Sequence, residues 1–128
     1  MTKTPSEKWK TEIAQYRKKC QNIHQISNDI RYVGVVNSYG RTMAGILKPN
    51  LKPLIKSEIM KNELFVISSL MTLRKETTSK VGKLDYVLMQ HQKISVLIFQ
   101  KGNVAYYVTI NKTAKNINKI IASIKKMI

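Results

Sequence analysis

Between Pro53 and about Thr78 runs a helical pattern with two separate apolar rows, and this doubling constrains the fold more than any other feature of the chain. Ile55, Ile59, Val66, Leu70 and Leu73 form one row. Met60, Leu64, Ile67 and Met71 form another, about 120° away when residues advance by about 100° each. Glu58, Lys61, Ser68, Thr72, Lys75 and Glu76 fill the remaining arc, and the helix is interrupted, if at all, near Lys61 and Asn62. A helix lying on a sheet needs one apolar stripe, so a second must be covered by something else. A partner chain is the economical cover; the C-terminal helix or an adjacent loop is the other.

The elements around this segment have clear punctuation. Thr4 can cap a first helix, with Pro5 at its first position and Glu7 at the capping-box spacing. Trp9, Ile13, Tyr16, Cys20 and Ile23 then make one narrow stripe, leaving Lys8, Lys10, Arg17, Lys18 and Lys19 to solvent. Ile30 to Val36 is apolar at both parities, as in a strand covered on both faces. Asn37 to Gly40 supplies turn chemistry, and Arg41 to Leu47 completes a hairpin. Gly34 and Gly45 inside these strands predict a bulge or the close approach of another backbone. Pro49 and Pro53 end the hairpin. After a break at Lys80 to Lys83, the strands 84–90, 94–99 and 104–110 follow as an antiparallel meander. Thr113 can then cap a last helix with Ile117, Ile120, Ile121, Ile124 and Ile128 on one face and Lys112, Lys115, Lys119 and Lys126 on the other.

The order is helix, two strands, helix, three strands, helix. It predicts an α+β fold, one antiparallel five-stranded sheet with helices packed on it. At 128 residues the chain is expected to form a single domain over 1–128. Its apolar fraction of 43% is close to that of ordinary folded domains. A single cysteine excludes an internal disulfide and fits a reducing compartment, and the first ten residues hold no apolar run of signal-peptide kind, so a cytoplasmic protein is expected.

The formal net charge is +16, from 23 Lys and Arg against 7 Asp and Glu, and it is spread over both halves of the chain. Such a charge favours acidic partners, and nucleic acid or anionic lipid through a term that ignores sequence. Only Arg17, Arg31, Arg41 and Arg74 are arginines, and arginine is the usual reader of guanine edges and phosphate forks. Specific readout is therefore not expected. The lysine stripe 112, 115, 119 and 126 is the densest one-sided basic feature and the candidate anion-binding surface.

Catalysis needs converging groups with opposed roles, and the chain offers few. His24 and His91 are the only histidines, and the acids are scattered. Cys20 and His24 stand four apart, but a structural zinc site wants four ligands. No catalytic residue, metal site or cofactor is expected. The run Lys101 to Val108 has the basic, glycine and aromatic content of an RNA-binding strand, yet Asn103 stands where the first stacking aromatic belongs. The adjacent Tyr106 and Tyr107 must point to opposite faces.

The segment Ile30-Arg-Tyr-Val-Gly-Val-Val-Asn-Ser-Tyr-Gly-Arg41 resembles the first hairpin of the roadblock and dynein-light-chain domain family, a profilin-like fold. Leu84 to Ile110, ending in Val-Ala-Tyr-Tyr-Val-Thr-Ile, is similar to that family's closing meander. The resemblance implies a non-enzymatic adaptor or regulatory domain that dimerises by pairing second helices, often joining sheets through the third strand. It implies partners such as small GTPases and motor complexes, and the basic charge adds other proteins with an acidic surface. The row Met60, Leu64, Ile67 and Met71, with Leu84, is the expected homodimer interface, although periodicity alone does not choose between the two rows. The alternatives are a basic module for nucleic acid or anionic lipid and a ligand-sensing profilin-like domain, which needs a polar-lined pocket beside the sheet.

Overall fold

The computed structural model describes every residue except Met1, Lys3 and Ile55, and the side chain of Ser57. Helix α1, Pro5–His24, starts where the sequence predicts. The Thr4 hydroxyl accepts from the Glu7 amide at 3.2 Å, and the Glu7 carboxylate accepts from the Thr4 amide at 3.1 Å, a complete capping box. Strands β1, Ile30–Asn37, and β2, Thr42–Leu47, form the hairpin, and the central helix α2 spans Ser57–Arg74 without a break at Lys61. A 3₁₀ turn, Lys75–Thr77, and a short helix α3, Thr78–Val81, extend it. Strands β3, Val87–Gln90, β4, Ile94–Lys101, and β5, Val104–Asn111, make the meander, and α4, Ile117–Met127, closes the chain.

All five strands join one antiparallel sheet in the order β2-β1-β5-β4-β3. The first hairpin and the meander thus meet at the middle, where Gly34 pairs with Tyr107. Strands β1, β4 and β5 are apolar at both parities because both sheet faces are covered. On one face α1 and α4 lie side by side, and Cys20, Ile23, Ile120, Ile121 and Ile124 pack on Val33, Val35, Leu97, Phe99, Tyr106 and Val108. On the other, α2 covers Val36, Val96, Ile98, Ala105 and Tyr107. Tyr106 and Tyr107 go to opposite cores, as strand alternation requires.

Three local readings are corrected. Trp9 was expected in the packed stripe of α1, but the first turns of the helix are exposed; Trp9 is 44% exposed and takes the Arg41 guanidinium over its ring at 5.9 Å. Gly34 and Gly45 do face each other across β1 and β2, yet what approaches them is a side chain and not a backbone. The Tyr32 ring lies over both, its Oη 2.6 Å from where a Cβ would stand on either glycine. The bulge sits instead between Val35 and Val36. The last helix begins at Ile117 rather than after Thr113, because residues 112–115 turn back over the end of β5, with the Ala114 amide donating to the Asn111 carbonyl.

Candidate interaction surface

The sheet face opposite α1 and α4 presents Val36, Val96, Ile98, Ala105 and Tyr107, and α2 is the element that hides them. Leu64, Ile67 and Met71 do this and are 1%, 7% and 2% exposed. Met60 and Leu84 pack against the same cluster while partly buried. Of the residues expected at a dimer interface, Leu64, Ile67 and Met71 are therefore buried against the chain's own sheet, while Met60 and Leu84 are half-buried beside them. Burying that row removes apolar surface from water at about 25 cal/mol per Å², and the nearest apolar surface is the chain's own sheet.

Polar contacts fix the helix in this position. The Ser68 hydroxyl donates to the Asn37 carbonyl at 3.1 Å, and the Tyr107 hydroxyl donates to the Glu63 carboxylate at 3.2 Å. Tyr32 meets the Tyr107 ring edge to face at 6.3 Å between centroids. Burial first, then the neighbouring Glu63 charge and hydrogen bond, hold the Tyr107 hydroxyl far above its ordinary value. At the hairpin tip Gly40, with φ +79°, lets the chain lie directly on the backbone of Phe65.

The other row of α2 is left in the open. Ile59, Val66, Leu70 and Leu73 are all exposed, with Val66 at 64% and Leu73 at 65%; Ile55, the first residue of that row, lies outside the described residues. Helical spacing sets Asn62 and Ser69 on one flank of the strip and Glu63, half-buried and bonded to Tyr107, on the other; the four exposed residues themselves carry no charge. Sequence reasoning missed two further members of the surface. Phe65, 56% exposed, flanks the strip, and Tyr39, 80% exposed, stands at the hairpin tip beside it. Phe65 fell between the two rows by angle. The signal that could have placed it was Gly40, whose turn needs a bare backbone to dock on. Strand β3 pairs with β4 alone and forms one edge of the sheet, with Leu88 at its surface.

The lysine stripe does not hold as a helix face. Lys119 and Lys126 lie on α4, while Lys112 and Lys115 belong to the turn before it; all four are exposed. Lys125 is the α4 lysine that finds an acid, reaching Asp85 at 2.7 Å. Because α1 and α4 share one face of the sheet, the exposed Lys8, Lys10, Arg17 and Lys18 stand on the same side of the molecule as Lys119 and Lys126, opposite the apolar strip of α2.

Cys20 is fully buried and burial pushes its thiol up to about 11, an inert core group rather than a nucleophile. His24 has its Nε2 buried and unbonded among the described residues. Among those residues no group of three His, Cys, Asp or Glu comes together to hold a metal ion, and no helix is long and apolar enough to cross a membrane.

No protein-family model matches the sequence, and no curated protein matches it. Solved structures do match in fold. The chain is similar to the gliding protein MglB from Thermus thermophilus, with a TM-score of 0.67 at 8% identity over 99% of this chain and 88% of that one. It is similar to Myxococcus xanthus MglB, with a TM-score of 0.66 at 10% identity over 99% and 90%. A Roadblock/LC7 domain from Streptomyces avermitilis gives 0.59 at 8% identity over 86% and 94%. Element order, sheet order and these likenesses define an α+β protein with the roadblock/LC7 fold. Within that class, the likenesses to the two MglB proteins each take in 99% of the chain.

Proposed function

We propose that the chain is a non-enzymatic adaptor or regulatory domain of roadblock type, a single domain that acts in the cytoplasm as a homodimer paired through the exposed strip of α2. The observation that carries this reading is the strip Ile59, Val66, Leu70 and Leu73, apolar, exposed and free of charge in a chain of +16. Two copies of so basic a protein repel one another over most of their surface. An uncharged apolar strip is where they can approach and gain by burying area. A solved structure of similar fold is described as MglB with a tetrameric arrangement; its TM-score is 0.64 at 8% identity, covering 90% of this chain and 88% of that one.

The side of α1 and α4 then faces a different partner. Its bases select an acidic protein surface, with a small GTPase as the class the family resemblance implies. Size-exclusion chromatography with light scattering tests the first step. The native chain should run as a dimer at micromolar concentration, and Val66→Lys with Leu73→Lys should run as a folded monomer. A native chain that is monomeric under those conditions overturns the proposal.

A further inference from the structure

Helix α2 does not reach the whole of its sheet face. Beyond its first turns, where β1 begins and β2 and β5 end, Lys52, Pro53, Leu54 and Lys56 stand over the face instead. Between these residues and the sheet lies a cavity of about 770 Å³, open to solvent on one side. Its floor is a continuous patch: Tyr32 pairs with Leu47 on one side and Thr109 on the other, and Ile94 stands one strand further. Pro53, Leu54 and Met60 complete the apolar wall. Native cores hold few voids larger than a water molecule, whereas small-molecule sites occupy roughly 300–1,000 Å³. The pocket is apolar-lined, unlike the polar-lined one a sensing domain was expected to need.

The charged groups at this cavity are of one sign. Arg31, Lys52 and Lys56 line it, and among the described residues no acid does. Among those residues the Arg31 guanidinium makes one hydrogen bond, from Nη1 to the Asn111 Oδ1 at 3.1 Å, out of the five N–H donors it carries. Lys52 and Lys56 are exposed, and their ammonium groups make no hydrogen bond or ion pair among the described residues. An apolar chamber with cations around it fits a molecule that is apolar along its length and anionic at one end.

We infer that this cavity binds a single-chain amphipathic anion, an alkyl carboxylate, with its chain over Tyr32, Leu47 and Ile94 and its headgroup among Arg31, Lys52 and Lys56. The inference does not rest on the dimer, since none of Ile59, Val66, Leu70 and Leu73 lines the cavity. Affinity should rise about fourfold per added methylene until the cavity is filled.

Calorimetric titration with dodecanoate below its micelle concentration, at physiological ionic strength, tests it. The expected result is one saturable site per chain, with dodecanol and dodecyltrimethylammonium at least tenfold weaker, and amide shifts in the NMR spectrum at Ile94 and Thr109. Exposed on the surface, Lys52→Glu with Lys56→Glu should fold normally and lose at least tenfold in affinity. Lys119→Glu with Lys126→Glu, on the other side of the sheet, should bind as the native chain does. Absent binding, many weak sites in place of one, equal binding of the cationic analogue, or equal loss in both double variants each overturns the inference.

Discussion

Gly40 and Phe65 touch backbone to backbone: a Cβ added to Gly40 would stand 2.6 Å from the Phe65 Cα and 2.8 Å from its amide nitrogen. The hairpin tip and the central helix are thus docked without a side chain between them. Gly40→Ala meets two penalties, a left-handed φ of +79° and a clash with atoms that cannot rotate away. It should lower stability by about 2 kcal/mol or more. Gly102→Ala, at φ +59° with open space around it, meets only the first and should cost about 1 kcal/mol. Urea denaturation of both variants separates the terms, and equal losses would refute the docking argument.

The Tyr32 ring predicts a change of sign. With Tyr32 present, Gly34→Ala forces a Cβ to within 2.9 Å of the ring and should cost about 1–3 kcal/mol. In a Tyr32→Val background the ring is gone, and the same substitution should become neutral or stabilise by about 0.5 kcal/mol, because alanine suits a strand interior better than glycine. A double-mutant cycle reads the coupling directly.

The two rows of α2 should respond differently to truncation. Leu64→Ala removes a side chain 1% exposed and packed on the sheet, and should cost about 2–5 kcal/mol. Leu73→Ala removes one that is 65% exposed and should stay within about 0.5 kcal/mol once association is held constant. Thermal unfolding at fixed protein concentration checks both.

Cys20 should be silent until the domain opens. Its thiol is buried and pushed up to about 11, so thiolate is scarce and no reagent reaches it. Labelling by a disulfide reagent at pH 8 should be slower in buffer than in denaturant by about a hundredfold or more. Fast labelling of the native chain would contradict the packing of α1 on the sheet.

His24 gives the chain a pH dependence of known sign. Burial first, then the nearby Lys48 charge, hold its folded pKa below the ordinary 6.5. The unfolded chain therefore takes up the proton more readily. The stability this provides is complete above pH 6.5 and is lost as pH falls through the lower folded value. The urea midpoint should drop between about pH 7 and pH 5, and His24→Gln should flatten that slope.

Much of this architecture was legible in the sequence because it rests on short-range rules. Thr4, Pro5 and Glu7 start α1, Asn37 to Gly40 turn the hairpin, and the doubly apolar strands announce a sheet covered on both sides. What failed needed three-dimensional context. Two apolar rows on α2 have the same periodicity, and only the position of Val36, Val96 and Tyr107 decides that Leu64 goes in and Leu73 stays out. Lys112 and Lys115 matched a helical angle in residues where the chain is still turning. The cavity was out of reach altogether, because it is set by how far α2 extends across the sheet.

Strand β1, from the beginning of the chain, and β5, from near its end, form the middle of the sheet, and α1 and α4 share one core. Neither half of the chain owns a complete interior: the hairpin without β5 has a bare edge, and the meander without β1 has another. Severing the loop between β2 and α2 would therefore yield two complementary pieces rather than two small domains. Each would stay open until it met the other, and their reunion would be a bimolecular step in place of an internal loop closure. The same geometry makes folding wait on contact between distant parts of the chain, so this domain should fold more slowly than a helical bundle of equal length.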